Sequence, residues 1–459
     1  MSRQLSFAHH DAGFFTRHGF IDTRTQGQVQ QQVNDTDILE RWQATFNHEE
    51  PDYVSSFVQV IMNKKKNEID AKYGDNFTDK DLCITPFGDY SLQKWCGFEA
   101  SWGVSSPYVV MHPGSRPPRY LVEKQGKWAY LKGDRLPEGI KRYRVEYNDG
   151  HIAEVMGDGR DINFYVDGNL YVGPGGVVDQ KDYDPKATMD LWTERFGSRD
   201  AELMEDATYD AVKKNLERTV AEFQFLPIFG LHGFAEGVRE SFGIKAFSYF
   251  ARRYPQVVEH AAKFNEKIAT VAAQAAAKAG IPFAIIADDM AYKHGVFCSP
   301  EHYKRFFADI YKKEAEILHK AGGKIFFHSD GYTEPYWPIW IDYCKFDGQE
   351  SLEPQAWLLP DGEGEGKKAN LKKPGRVMRY LKEKYGDRFV LVGNMDMSTV
   401  MPLATPEEVA WVTKDIIESG APGGGFVFAC CTDITEATPL ENVIAMREAY
   451  RKYRHCYAK

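Results

Sequence analysis

The chain has 459 residues, a hydrophobic content of 43% and a formal net charge of -9 at pH 7. This length accommodates either two ordinary domains or one barrel with insertions. The acidic balance argues against nucleic acid as the main partner, because binding to phosphates needs clustered Lys and Arg. No apolar run approaches the roughly 18 residues of a membrane-spanning helix, and the polar amino terminus predicts no signal peptide.

The cysteines are seven in number and have no CxxC spacing. An odd count without that spacing argues against a disulfide framework or a zinc ribbon. We therefore expect a reducing, cytoplasmic setting for the chain. The cysteines are Cys83, Cys96, Cys298, Cys344, Cys430, Cys431 and Cys456.

In the first half of the chain, a helical amino-terminal extension is followed by a candidate strand at residues 52–61. Residues 119–178 then alternate polar and apolar side chains, with turn signals at residues 148–150 (Asn-Asp-Gly) and 167–168 (Asp-Gly). Alternation interrupted by such turns is typical of β-hairpins. The pattern predicts an antiparallel β insertion, which we assign to residues 112–180.

The second half alternates short apolar runs with longer amphipathic segments, the pattern of parallel strands covered by helices. The predicted strands cover residues 222–229, 282–287, 324–328, 341–346, 389–392 and 425–429. The predicted helices cover residues 257–279, 300–321, 372–385 and 406–419. Closing this parallel sheet into a barrel needs about two more strands upstream. The Gly- and Glu-rich residues 362–368 predict a mobile loop.

Polar residues follow the apolar runs at the ends of several predicted strands. They are Asp288-Asp289, His328-Ser329-Asp330, Asp347-Gly348-Gln349-Glu350 and Cys430-Cys431. Because catalytic groups of parallel barrels lie at the carboxyl ends of the strands, an imidazole, carboxylates and a thiol would converge on one mouth. That set suits zinc, which accepts nitrogen, oxygen and sulfur ligands. Each group also has a structural alternative: a hydrogen-bonded histidine, loop-capping aspartates, or buried strand-end cysteines.

Residues 287–332 resemble the middle of the uroporphyrinogen decarboxylase superfamily. The shared features are an Asp at a strand end, a Ser-Pro that opens a helix, and a strand that ends in a His shortly before a Gly. Further similar segments are residues 40–54, 391–396, 405–409 and 438–443. The resemblance implies a single α/β domain over residues 1–459. It is a (β/α)8 TIM barrel with the N-terminal helical extension and the antiparallel β insertion.

The superfamily contains decarboxylases and zinc-dependent, corrinoid-linked methyltransferases. The Arg-rich amino-terminal motif with which the decarboxylases hold their tetrapyrrole is missing here. The methyltransferase branch, of the O-demethylase methyltransferase I type, binds zinc through a His-x-Cys pair, a Glu after the next strand and a late Cys. On this sequence these ligands fall on His328, Glu350 and Cys431 or its neighbour Cys430, with Asp330 in place of the first Cys. A carboxylate in place of a thiolate makes the metal harder and favours an oxygen-bearing substrate.

The resemblance therefore implies an enzyme that carries Zn2+ and moves a methyl group from an aryl methyl ether to cob(I)alamin on a separate corrinoid protein. Asp288, Asp289, Tyr292 and His294 follow another strand and are expected to orient the ring or shuttle a proton. Three alternatives stay open. They are a metal-free decarboxylase-like carbon-carbon lyase with Asp288 as general acid, a methyl donor such as methanol or methylamine, and a barrel that only binds the corrinoid protein. The docking face and homo-oligomerisation are also left open.

Overall fold

The computed structural model of the chain covers most of the sequence from residue 37 onward. The residues that it describes are 37–74, 84–85, 88–105, 109–111, 126–131, 141–147, 152–157, 162–165, 172–173, 176–177, 183–196, 200–357, 371 and 373–457. Thr36–Lys459 form one compact unit. The predicted Gly- and Glu-rich loop and the two predicted hairpin turns of the insertion lie outside the described residues.

The strands are numbered in chain order. They are β1 (Ser55–Val58), β2 (Ile84–Thr85), β3 (Gly88–Asp89), β4 (Ala100–Ser105), β5 (Val109–Met111), β6 (Gly126–Leu131), β7 (Lys141–Tyr147), β8 (Ile152–Gly157), β9 (Ile162–Tyr165), β10 (Val172–Gly173), β11 (Gly176–Val177), β12 (Ala201–Leu203), β13 (Leu226–His232), β14 (Phe283–Ala287), β15 (Ala291–Tyr292), β16 (Gly295–Val296), β17 (Lys324–His328), β18 (Gly348–Glu350), β19 (Val390–Met395) and β20 (Phe426–Cys430). Eight of them close into a barrel in the order β1-β20-β19-β18-β17-β14-β13-β4, and each neighbouring pair is parallel.

Helices surround this barrel. They are α1 (Ile38–Phe46), α2 (Asn63–Tyr73), α3 (Tyr90–Trp95), α4 (Pro185–Phe196), α5 (Asp206–Phe223), α6 (Ala235–Arg253), α7 (Pro255–Lys263), α8 (Glu266–Lys278), α9 (Pro300–Tyr303), α10 (Asp309–Lys320), α11 (Arg376–Tyr385), α12 (Val400–Leu403), α13 (Pro406–Gly420) and α14 (Leu440–Tyr453). The predicted (β/α)8 barrel with an amino-terminal helix is thereby confirmed. Among the described residues, no helix combines the length and the apolar character needed to span a membrane.

Side-chain caps fix the starts of two helices, at Ser299-Pro300 and at Thr405-Pro406. The Ser299 hydroxyl accepts a hydrogen bond from the backbone N–H of His302. Thr405 and Glu408 form a reciprocal capping box, in which each side chain accepts from the other residue's backbone N–H. Such caps satisfy N–H groups that have no partner inside the helix.

The amino-terminal end of the barrel is closed by α1. The ring centroid of Trp42 lies 5.4 Å from that of Phe283, and Phe46 lies 5.5 Å from Phe326. These rings join the apolar residues that point into the barrel from the first half of its strands. Because side chains of a strand alternate between its two faces, every second residue fills the interior.

The predicted β insertion contains a separate four-stranded antiparallel sheet in the order β6-β7-β8-β9. Its strands pair directly with their sequence neighbours, as in successive hairpins. The predicted boundaries of this insertion, residues 112–180, remain a prediction because both lie outside the described residues.

One predicted strand is wrong. Residues 341–346 do not form a strand: Ile339–Cys344 form a π-helical turn, and the barrel strand follows at Gly348–Glu350. A short, continuous apolar run has the same composition whether it is a buried strand or the buried side of a helical turn. The predicted helix over residues 257–279 is also interrupted, since α7 ends at Lys263 and α8 begins at Glu266.

Candidate metal centre

A layer of polar side chains lies above the apolar filling of the barrel, at the carboxyl-terminal end of the strands. Each member lies two residues after a strand residue that faces the barrel interior, as His328 lies after Phe326 and Asn394 after Val392. We call this set the polar layer. Its members are Gln59, Trp102, His328, Glu350, Asn394 and Cys431.

His328, at the end of β17, is the centre of this layer. Its Nδ1 lies 2.5 Å from Oε2 of Glu350, at the end of the adjacent strand β18. Gln59, which directly follows β1 on the opposite side of the barrel, donates a hydrogen bond of 2.8 Å to the same oxygen. Burial alone would lower the pKa of His328, but the neighbouring carboxylates, Glu350 foremost, raise it to about 10. The other ring nitrogen, Nε2, lies 3.6 Å from Oδ1 of Asp289.

Asp289, His328 and Asp330 bring their possible ligand atoms within 4.8 Å of one another. The backbone N–H of Asp330 donates to Oδ1 of Asp289 at 2.8 Å, which holds the two strand ends together. Burial raises the pKa of Asp330 to about 7. A nitrogen and carboxylate oxygens converging in this way form a donor set that fits a divalent cation such as zinc.

Glu350 and Cys431, the other two predicted ligands, adjoin this group. Oε1 of Glu350 is buried and has no hydrogen-bond partner among the residues that the structure describes. Cys431 is buried beside acidic groups, and burial, with Glu353, Asp396 and Glu350, keeps the pKa of its thiol well above the usual value. The free oxygen supports a further ligand position, and the ligand roles of both residues remain predictions.

Ser351 connects the two halves of the centre. Its hydroxyl lies 2.5 Å from Oδ1 of Asp330 and 2.6 Å from the backbone carbonyl of Cys431. The residue has a backbone φ of 72°, in the left-handed region that side chains other than glycine disfavour. Such strain persists where the surrounding structure fixes the residue, and here it orients the hydroxyl between two site segments.

Asp288 has a different environment from its neighbour Asp289. Its carboxylate accepts hydrogen bonds from the backbone N–H groups of Ala235 and Glu236, at 3.2 and 2.5 Å, and from the hydroxyl of Tyr311. Burial raises its pKa to about 7. These contacts cap the amino terminus of α6, and they are those of a structural carboxylate. The predicted catalytic role of Asp288 therefore gains no support from its contacts.

Tyr292 and His294 lie in the hairpin of β15 and β16, beyond the strand that carries Asp289. Both are exposed, Tyr292 by 48%. The carbonyl of Tyr292 accepts from the N–H of Tyr332, which ties the hairpin to the segment after His328. Their predicted roles in catalysis remain predictions.

Several residues of the centre were not predicted from the sequence. Trp102 has its ring centroid 5.6 Å from that of His328. Glu353 accepts a hydrogen bond of 2.9 Å from the N–H of Gly331, and burial raises the pKa of Asp433 to about 6. Gln59 and Trp102 belong to the two barrel strands upstream of the insertion. The signal that could have found Gln59 is the one that found His328, a polar residue at the end of an apolar run, whereas Trp102 lies within β4 and has no such signal.

Known proteins share parts of this sequence and its fold. Residues 234–453 match the family model Uroporphyrinogen decarboxylase (URO-D). This part of the chain is a URO-D family domain, and the resemblance to that family is confirmed.

The relatives are distant. The chain is 26% identical over 164 residues to uroporphyrinogen decarboxylase from Coxiella burnetii strain Dugway 5J108-111, and equally to that from strain RSA 493 / Nine Mile phase I. Each match covers 35% of this chain and only 38% of the relative. A solved structure, methyltransferase from Methanosarcina mazei, has a TM-score of 0.51 and 18% identity, and the match covers 91% of this chain and 99% of that one. At this identity the likeness shows the shared fold.

Proposed function

We propose that this chain is a zinc-dependent methyltransferase that moves a methyl group from an aryl methyl ether to cob(I)alamin on a partner corrinoid protein. The observation that carries the proposal is the convergence of Asp289, His328 and Asp330 at the mouth of the barrel. The URO-D family domain supports it, as does a fold shared with a protein described as a methyltransferase. An acidic donor set favours an oxygen-bearing substrate over a thiol.

The zinc ligands we propose are His328, Asp330, Glu350 and Cys431, and the geometry adds Asp289. When bound there, zinc would act as a Lewis acid that stabilises negative charge on the ether oxygen. Oε2 of Glu350 lies 2.5 Å from Nδ1 of His328, so the oxygen that we propose as the ligand is Oε1, which has no hydrogen-bond partner among the described residues. A carboxylate on that nitrogen fixes the imidazole and leaves Nε2 to face Asp289, as partners of metal-binding histidines commonly do.

Loss of the methyl group leaves a phenolate, which takes up a proton in water. Asp433 is suited to exchange that proton, because burial raises its pKa to about 6, closer to neutrality than an ordinary aspartate. Tyr292 lies exposed at the rim, where its ring can contact an aromatic donor. His294 and Asp288 are kept as proposed participants in ring orientation and proton transfer.

The proposal is tested by mixing the purified protein with a reduced corrinoid protein and a panel of donors. The panel contains methoxybenzoates, methoxyphenols, methylamine and methanol. We expect the Co(I) absorption to disappear with aryl methyl ethers and only when zinc is bound. If only methanol or methylamine supports transfer, that compound is the methyl donor and the aryl methyl ether is excluded. No transfer from any donor would contradict the proposal.

Substitution of His328 tests the metal site directly. His328→Ala should lower bound zinc and methyl transfer together, and full zinc stoichiometry in that variant would remove His328 from the ligand set. The matched control is His319→Ala, because His319 pairs with Asp347 on the outside of the barrel, at 2.8 Å. The control should retain zinc and activity.

A second candidate is a decarboxylase-like carbon-carbon lyase, which the named relatives favour. In that case a metal-free protein should decarboxylate a carboxylated tetrapyrrole, and Asp288→Asn should abolish the reaction. The helix-capping contacts of Asp288 speak against this role.

A barrel that only binds the corrinoid protein would retain that binding in His328→Ala and show no turnover at all.

A further inference from the structure

Two members of the polar layer, Trp102 and Asn394, have buried polar atoms without a hydrogen-bond partner among the described residues. Binding of a metal ion at the proposed centre would not supply these atoms with a partner. Trp102 has an unpartnered Nε1, and Asn394 has both side-chain amide atoms unpartnered among the residues that the structure describes. Asn394 is completely buried. Buried polar groups are nearly always hydrogen-bonded, so such a pair indicates a ligand or a bound water.

Both side chains belong to the interior of the barrel at the end that carries His328. Asn394 follows Val392, which fills the interior, and its neighbour in the register on β20 is the interior residue Ala429. Trp102 lies two residues after Ala100, also an interior residue, and its ring contacts His328. A group bound between Trp102 and Asn394 would therefore lie inside the mouth, beside the proposed metal centre.

Other amides near the centre do have partners. Gln59 donates to Glu350, and Gln349 accepts from Thr333. Buried polar atoms without a partner among the described residues also occur away from the barrel interior, for example on Gln93. What distinguishes Trp102 and Asn394 is their position inside the barrel, at the end that carries His328. Leaving these atoms unpaired costs stability, and that cost is recovered only when a partner binds.

The chemistry of the two side chains restricts the partner. The indole N–H of Trp102 can only donate, whereas the amide of Asn394 offers both a donor and an acceptor. A single group that satisfies both the Trp102 N–H and the Asn394 carbonyl oxygen must therefore accept and donate, as a hydroxyl does. A carboxylate only accepts, and it would be repelled by Asp289 and Asp330 nearby. An ether or a bare aromatic ring cannot donate to the Asn394 carbonyl.

We propose that Trp102 and Asn394 bind a neutral hydroxyl group of the methyl donor, so that the enzyme prefers methoxylated aromatic compounds with a free ring hydroxyl. This inference rests on the proposed function, because it assigns the bound group to the methyl donor. Trp102 donates to the hydroxyl oxygen, and the hydroxyl donates to Oδ1 of Asn394. The two side chains thereby determine specificity, and the bond-breaking chemistry belongs to other residues.

The test compares the three positional isomers of methoxyphenol with the matching dimethoxybenzenes, which lack a hydroxyl donor. We expect kcat/KM to favour at least one methoxyphenol by about 10-fold or more. Asn394→Leu and Trp102→Phe should reduce that preference towards unity, mainly through a higher KM for the methoxyphenol. A preference that survives both substitutions would overturn the proposal.

Equilibrium binding separates this inference from the proposed function. The same ligand pairs are titrated into the protein without any corrinoid protein, by calorimetry. If no donor supports methyl transfer but methoxyphenol binding still requires Asn394 and Trp102, the proposed function fails and the hydroxyl site stands. Equal binding of both ligand classes to the unsubstituted protein overturns the hydroxyl site.

Thermal unfolding distinguishes a role of Asn394 in ligand binding from a role in stabilising the fold, because the two predict opposite changes in Tm. Asn394→Leu removes an unpaired buried amide, so the Tm of the ligand-free protein should rise by about 2 °C. Gln93→Leu is the matched control, since Gln93 on α3 is also a buried amide without a partner among the described residues but lies outside the barrel interior. It should leave ligand preference unchanged. A lower Tm for Asn394→Leu, together with unchanged preference, would identify a structural water site and overturn the proposal.

Discussion

The two ends of the barrel differ in how their buried charged groups are paired. At the amino-terminal end, Arg41 bonds Asp52 at 2.8 Å and Glu99 at 3.0 Å, and Trp42 donates its Nε1 hydrogen to Glu99. At the carboxyl-terminal end, carboxylates crowd around His328 and several buried polar atoms have no partner among the described residues. The first arrangement pairs its buried charges within the fold, whereas the second brings together carboxylates and an imidazole in a set that fits a divalent cation.

The largest expected effect tests the amino-terminal end. Arg41→Met removes the buried cation that pairs with the buried Glu99 and the half-buried Asp52, so the free energy of unfolding should fall by about 3–5 kcal/mol. Urea unfolding measures it. The control is Arg388→Met, which removes an exposed pair with Asp342 at 3.4 Å and should cost less than about 1 kcal/mol. Equal costs for the two variants would mean that the buried network contributes no special stability.

The sequence predicted the carboxyl-terminal end better than the amino-terminal one. Residues 324–328 were predicted as a strand and form β17 at the same bounds, and the polar residues after it do reach the centre. Such strand-end residues are visible in sequence because their position follows from local periodicity. The connection between Arg41 and Glu99 spans 58 positions, and that between Gln59 and Glu350 spans 291. Contacts of that separation depend on closure of the barrel, which no local pattern contains.

The two adjacent cysteines at the carboxyl-terminal end are expected to have different roles, Cys430 in packing and Cys431 in the metal centre. Sγ of Cys430 lies 3.8 Å from Sδ of Met446, on the outer face of β20, whereas Cys431 belongs to the polar layer. Cys430→Ser places a hydroxyl among apolar groups and should cost about 1–3 kcal/mol of unfolding free energy, with zinc retained. Cys431→Ser should weaken zinc binding, measured by competition with a chelator, with a smaller effect on stability. Equal, mild effects of both would contradict the assignment of Cys431 to the centre.

Ser351 offers a finer test, because its hydroxyl and its backbone act separately. Ser351→Ala removes the hydrogen bonds to Asp330 and to the carbonyl of Cys431, and zinc affinity should fall about 10-fold. Ser351→Gly removes the same bonds but relieves the left-handed backbone, so it should be more stable than Ser351→Ala by about 1 kcal/mol. Chelator competition and urea unfolding measure the two effects. Unchanged zinc affinity in both variants would remove Ser351 from the support of the centre.

The smallest expected effect concerns an acid near the site that is fully partnered. Oε1 of Glu334 accepts from Tyr380, Lys384 and Tyr385 at 2.7 to 3.0 Å. Burial alone would raise the pKa of Glu334, but these donors outweigh it and lower the pKa below its usual value. A group with a lowered folded-state pKa contributes stability above its unfolded pKa of about 4.3, and that stability is lost as the pH falls through the folded value.

Glu334→Gln should therefore be less stable than the unsubstituted protein by about 1 kcal/mol at pH 7. The difference should shrink as the pH falls below about 4, because both proteins then carry an uncharged group there. Urea unfolding at pH 7, 5, 4 and 3 follows the difference. Lys384→Met gives the same comparison from the other partner. A difference that grows towards low pH would reverse the sign of the linkage, and Glu334 would then resemble Asp330 and Asp433, whose pKa values burial raises.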